Sequence, residues 1–260
     1  RQFWLSEGMI RARHLEYYEY DNSVKEATET MYRKGIQFRL EVHLEDGMSI
    51  AVPADTASPR QFAQDFKLNR DRVFVWDGRK YIQYYESADY AVVVTDMQDI
   101  STETTGPLTA GLIPWGYGDF TFLGLKSHNP QAYEVSENGQ IRVLLKYMNP
   151  SIKPAVQVSF VLDPLKDYAV LSYSMENDQA LLRQTYENYT QAAGEWVPSK
   201  VLIERFLKPS GSPQLMSYED WKFEAVDPTV PSDGLFSVHF KNGTTVELKP
   251  AGNVKSFLYN

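Results

Sequence analysis

The sequence predicts a mainly β protein, an antiparallel meander that is curved or nearly closed, and three observations predict it. Apolar and polar residues alternate with period two through long stretches of the chain. Short turn motifs recur between the alternating runs, the spacing expected of hairpins. Aromatic residues, which favour strands, are abundant, with 17 Tyr, 13 Phe and 5 Trp in 260 residues.

The clearest strand sets Ile36, Phe38, Leu40, Val42 and Leu44 on one face against Gln37, Arg39, Glu41, His43 and Glu45 on the other. The Tyr-rich stretch 9–20 reads as its partner strand, and Asp46-Gly47 as the turn that follows. Stretches 73–76 and 80–85 form a tight hairpin around Asp77-Gly78, with 90–95 as a third strand. The same grammar gives 133–135 and 141–147 around Asn138-Gly139. Val156, Val158, Phe160 and Leu162 alternate into Asp163-Pro164, a turn opener. Further strands are expected at 168–175, 180–189, 198–207 and 214–226. Phe236, Val238 and Phe240 read as one arm of a last hairpin, with 244–248 as the other. Helices are scarce. One candidate is 59–66, with Ser58 as cap and Pro59 in its first turn, and another is 107–113, stopped by Pro114. No linker interrupts the pattern, so the expectation is a single domain over 1–260.

Composition narrows the function. A formal charge of −8 argues against nucleic acid and against docking on anionic lipid surfaces. The lack of cysteine removes thiol catalysis, cysteine-based metal sites and disulfides. No apolar run approaches the roughly 20 residues that span a bilayer. The chain starts at Arg1 rather than Met, which suits a processed, periplasmic or secreted protein whose signal peptide or lipid-anchored N-terminus has been removed.

Little in the sequence carries catalysis. The histidines are His14, His43, His128 and His239, and His-Leu-Glu occurs at 14–16 and at 43–45. Residues two apart on a strand share a face, so each His/Glu pair offers two metal ligands. A third ligand is missing, and His43, Glu45 and His239 fall on polar phases, so a solvated surface is the better reading. No nucleophile elbow, phosphate-cradling loop or dinucleotide fingerprint is present, and carboxylate pairs such as Asp163 and Asp167 are generic. The expectation is a protein without enzymatic activity, metal or cofactor. More distinctive is 107–125, where Leu108, Leu112, Ile113, Trp115, Tyr117, Phe120, Phe122 and Leu123 crowd an interval broken by Gly and Pro. It reads as a lid over the concave face of the sheet, or as a helix and loop that complete the core; apolar loops more often pack than bind.

The run Arg72-Val-Phe-Val-Trp76-Asp77-Gly78-Arg-Lys-Tyr81-Ile-Gln-Tyr84, preceded by Lys34-Gly-Ile-Gln-Phe38-Arg39-Leu-Glu, resembles the central hairpin of the LolA/LolB-like periplasmic lipoprotein-carrier superfamily. The pattern from Val161-Leu-Asp163-Pro164 through Tyr168 to Trp196-Val-Pro198 resembles the second half of large bacterial relatives. The resemblance implies a strongly curved antiparallel sheet, an incomplete β-barrel, with one or few short helices plugging its concave side. In the carriers that side binds lipoprotein acyl chains. This chain is longer, strongly acidic, and has no obvious N-terminal helix. The function it implies is binding of a lipid or lipoprotein acyl chain in the cell envelope. Phe38, Leu40, Trp76, Ile82 and Tyr84 would line the groove, and Leu112, Ile113 and Trp115 would cover it. The first rival is an interaction module that offers its aromatic strands to an envelope protein partner. The second is a hydrolase whose acidic residues meet only in three dimensions.

Overall fold

In the computed structural model of the chain, the structure describes residues 7–19, 23–45, 70–95, 131–137, 139–147, 156–192, 194–209, 211–249 and 255–259. The Asp46-Gly47 turn, both helix candidates and the apolar stretch 107–125 lie outside them. The described residues form β1 (Glu7–Tyr18), β2 (Ser23–Lys34), β3 (Gln37–Leu44), β4 (Asp71–Trp76), β5 (Tyr81–Tyr85), β6 (Tyr90–Val94), β7 (Gln131–Glu137) and β8 (Gln140–Tyr147). The series continues with β9 (Val156–Asp163), β10 (Ala169–Glu176), β11 (Ala180–Ala192), β12 (Glu195–Leu207), β13 (Gln214–Asp227), β14 (Thr245–Lys249) and β15 (Lys255–Leu258). Hydrogen bonding orders them β15-β14-β6-β5-β4-β3-β2-β1-β13-β12-β11-β10-β9-β8-β7. The mainly β, antiparallel expectation is met. Where register is described, pairing is antiparallel save for β14 against β6. The chain divides into two compact units.

One unit comprises Leu5–His14, Lys25–Leu108 and Glu224–Asn260. Here β3 pairs with β2, not with the 9–20 stretch, because Gly35 and Ile36 form a two-residue turn between Lys34 and Gln37. Gly35 takes φ +57, which the tight turn requires. Ile36 consequently sits in the turn, 73% exposed, and not in the core with Leu40 and Val42 as its phase suggested. The β4–β5 hairpin forms as expected. The Asp77 carboxylate accepts from the backbone N–H groups of Arg79 (2.8 Å) and Lys80 (2.9 Å), which closes the turn.

The last expected hairpin does not form. Residues 237–240 are irregular, and β14 instead lies parallel to β6, with Val246 opposite Ala91 and β15 on its outer side. Phe236, which ends a short 3-10 helix at Asp233–Phe236, packs with Val238 and Phe240 of the irregular segment onto Val73, Val75, Ile82, Tyr84, Ala91 and Val93. Arg39 donates to the carbonyls of Leu235 and Ser237, both at 3.3 Å, so backbone acceptors that no strand uses are satisfied. Sheet packing thus overrode the local alternation of 236–240.

The other unit comprises Arg1–Trp4, Leu15–Val24 and Thr109–Phe223. Its strands keep period two closely. In β11, Leu182, Gln184 and Tyr186 are buried while Arg183 and Glu187 are exposed. The register aligns the buried set with Val201 and Ile203 of β12, and these with Trp221 and Glu219 of β13. The opposite face carries the ion pairs Arg183–Glu204 (3.7 Å) and Lys200–Glu187 (3.8 Å). Such solvated pairs contribute about 0–1 kcal/mol each.

Candidate functional site

In the first unit strands β4 and β6 are apolar and buried on both faces. All four residues Val73, Phe74, Val75 and Trp76 of β4 are buried, as are Ala91, Val92, Val93 and Val94 of β6. Directly paired residues share a face, so register sorts the side chains. Phe38 pairs with Trp76, Leu40 with Phe74, and Trp76 with Tyr81. Phe38, Leu40, Phe74, Trp76 and Tyr81 therefore form one aromatic-rich face, with the Phe38 and Tyr81 rings 6.2 Å apart. Ile82 pairs with Val75 and Tyr84 with Val73, which places both on the other face, beneath Phe236. The five expected lining residues thus do not share one groove. Leu112, Ile113 and Trp115 lie outside the described residues.

The aromatic face has a polar end that the sequence reading missed. Val42 pairs with Arg72, so Arg72 shares the face of Leu40 and Phe74. Its guanidinium lies 5.7 Å from the centre of the Phe74 ring. Its Nε is buried without an acceptor among the described residues. The signal was present in the Arg72-Val-Phe-Val-Trp76 run, where 72, 74 and 76 share a phase. Near the same end His14 is largely buried, 3.6 Å from the buried Glu29, so it is not on a solvated surface.

In the second unit the buried face combines aliphatic side chains with neutral polar groups. Tyr173 and Gln184 oppose each other across β10 and β11, 1% and 0% exposed. Tyr186 Oη donates to Gln184 Oε1 at 2.9 Å. Burial raises the Tyr173 and Tyr186 phenols well above their ordinary value, so both stay neutral donors at physiological pH. On β12 and β13, Arg205 meets the buried Glu219 at 2.5 Å, and Trp221 Nε1 donates to the same carboxylate at 3.1 Å.

One Ser–Asp–His association occurs among the described residues. His43 Nδ1 lies 2.5 Å from Asp71 Oδ1, and Ser87 Oγ donates to Asp71 Oδ2 at 2.5 Å. The hydroxyl is bonded to the carboxylate and not to the imidazole, so this geometry does not activate a nucleophile. Its effect is electrostatic. Burial pushes the Asp71 carboxyl up, but the hydrogen bonds from Ser87 and His43, with the charges of His43 and Arg70, outweigh it and hold it below the usual range. A depressed carboxyl contributes stability that is complete above its unfolded pKa of about 3.9 and is lost as pH falls through the folded value. Asp71→Asn is therefore expected to be less stable than the native protein at neutral pH, with the gap closing as pH falls below the unfolded value of about 3.9. Denaturant titrations at neutral and acid pH check this. A gap that persists in acid would assign the loss to something other than the charge. No three His, Asp or Glu side chains converge as a metal site among the described residues.

No protein-family model and no curated protein matches the chain. Among solved structures it is similar to one described as an outer membrane lipoprotein-sorting protein domain from Vibrio parahaemolyticus, at 10% identity and TM-score 0.45, over 91% of each chain. It is also similar to a DUF1329 family protein from Desulfovibrio piger, at 9% identity and TM-score 0.42, over 89% of this chain and 90% of that one. A porin-like protein from Bacteroides uniformis follows at 10% identity and TM-score 0.32, over 85% and 97%. With TM-scores below 0.5, these likenesses do not decide what the chain binds.

Proposed function

We propose that the chain binds a lipid or lipoprotein acyl chain without catalysing a reaction, in the cell envelope, periplasmic or secreted. The observation that carries this reading is the aromatic face of Phe38, Leu40, Phe74, Trp76 and Tyr81, which ends at the Arg72 guanidinium. Hydrocarbon laid on such a face gains about 0.8 kcal/mol per buried methylene. A cation with a buried N–H that has no acceptor among the described residues suits a carboxylate or phosphate at the head of the chain. In this reading Ile82 and Tyr84 are core. Among the described residues no helix is long and apolar enough to cross a membrane.

Bromine on an acyl chain quenches tryptophan at short range, so a brominated fatty acid tests the site directly. Saturable quenching is expected in the native protein, with the Trp76 share missing in Trp76→Phe and affinity lowered about tenfold in Arg72→Met, the equivalent of one charge-assisted bond at 1.4 kcal/mol. Absence of saturable quenching sinks the reading. It would favour an interaction module for an envelope protein partner, for which β15 offers an edge strand with Phe257 and Leu258 about half exposed or more.

A further inference from the structure

The buried face of the second unit contains a group of donors that the protein's own described residues leave unused. Tyr173 Oη and Gln184 Nε2 are both buried and without a partner among the described residues. They belong to side chains directly opposed across β10 and β11. The Gln184 carbonyl is already engaged by Tyr186 Oη, which fixes the amide and leaves its nitrogen to point elsewhere. The pair is set in an apolar surround. The Phe160 ring lies 5.1 Å from the Tyr173 ring, tilted by 53°, Ile203 pairs with Gln184, and Val158 and Leu182 lie on the same face. Buried donors are nearly always satisfied, so two adjacent exceptions need an explanation.

What the pair lacks is an acceptor, and the chemistry of the face says which kind. Tyr173 is held neutral by burial, and the amide carries no charge. Arg205, the cation on the matching phase of β12, is committed to Glu219. A carboxylate or phosphate here would bring an uncompensated charge into a buried apolar site, which is strongly disfavoured. A neutral carbonyl oxygen has two lone pairs and can accept from both donors.

We propose that Tyr173 and Gln184 form a second binding site, which takes the ester or amide carbonyl of an acyl compound while its hydrocarbon lies along Val158, Phe160, Leu182 and Ile203. The ligand class rests on the acyl-binding reading above, but the residues and the unit are different. Arg72 suits a charged head; this pair suits an uncharged linkage, the bond by which fatty acids are attached to glycerol or to an amine.

The test uses the full chain and two probes, a monoacylglycerol ester and the ether of equal length that lacks the carbonyl. The ester is expected to bind about tenfold more tightly, one hydrogen bond being worth a factor of ten at 1.4 kcal/mol. Tyr173→Phe and Gln184→Met should each erase most of that preference while leaving ether affinity in place. Arg183→Gln, on the solvated face, should leave the preference intact. Equal affinities in the native protein, or a preference that survives both substitutions, overturn the second site while the acyl-binding reading stands. Failure of both probes to bind overturns the second site, and saturable quenching by the brominated fatty acid then decides the acyl-binding reading separately. Folding gives an independent check. Tyr173→Phe removes an unused hydroxyl and is expected to be as stable as the native chain or more so, whereas a clear loss of stability would show the hydroxyl already partnered and end the proposal.

Discussion

Phe236→Ala is expected to lower the unfolding free energy by about 3–5 kcal/mol, the range for truncating a buried aromatic ring. Phe236 is 2% exposed and is the buried residue through which the 233–240 segment holds the sheet face of Val73, Val75, Ile82 and Tyr84. Its loss removes the transfer energy of the ring and leaves a void that flanking groups fill poorly. Val238 and Phe240 are fixed partly by other contacts, such as the edge-on pairs of Phe240 with Tyr84 (5.4 Å) and Tyr259 (5.5 Å). Urea titration measures the effect as a lowered midpoint. A change below about 1 kcal/mol would mean that the segment collapses onto the sheet without its anchor.

Arg205→Met is expected to cost about 3–5 kcal/mol, for a different reason. The substitution keeps the volume of the side chain but strands the Glu219 carboxylate, 4% exposed, without the cation 2.5 Å away. The Trp221 N–H remains as a donor and softens the loss without replacing a charge. The double variant Arg205→Met with Glu219→Leu should recover most of the stability, because an apolar pair of similar volume avoids burying any charge. A double-mutant cycle separates the possibilities. Additive losses would show that the two side chains contribute through packing alone, with no coupling between the charges.

The strands of this protein are legible in its sequence where one face is polar. Arg183, Thr185 and Glu187 alternate with Leu182, Gln184 and Tyr186, so β11 and its faces follow from alternation. In β4–β6 both phases are apolar, and alternation cannot say which residues share a surface. Placing Ile82 with Trp76 was a slip of one residue, and a slip of one moves every side chain to the opposite face. Only the pairing of Trp76 with Tyr81 resolves it. The strand β2 escaped notice because Ser23–Lys34 is rich in Thr, Glu and Lys, and of its buried positions Ala27, Glu29 and Met31 only Met31 is a large apolar residue. The unused donors of Tyr173 and Gln184 could not be read at all. A polar residue on an apolar phase is visible in sequence, but whether it has a partner depends on its three-dimensional neighbours.

The parallel seating of β14 on β6 has a consequence for the order of assembly. The edge of β6 receives its neighbour from a segment about 150 positions later in the chain, Thr245 against Tyr90. Contacts so distant in sequence carry a large loop-closure cost and form late. Until they form, Val92, Val93 and Val94 present open backbone groups on a strand of high β-propensity, which is a template for pairing with a stranger. For a newly made copy, vulnerability to aggregation is thus concentrated in the interval between the formation of β6 and the arrival of β14.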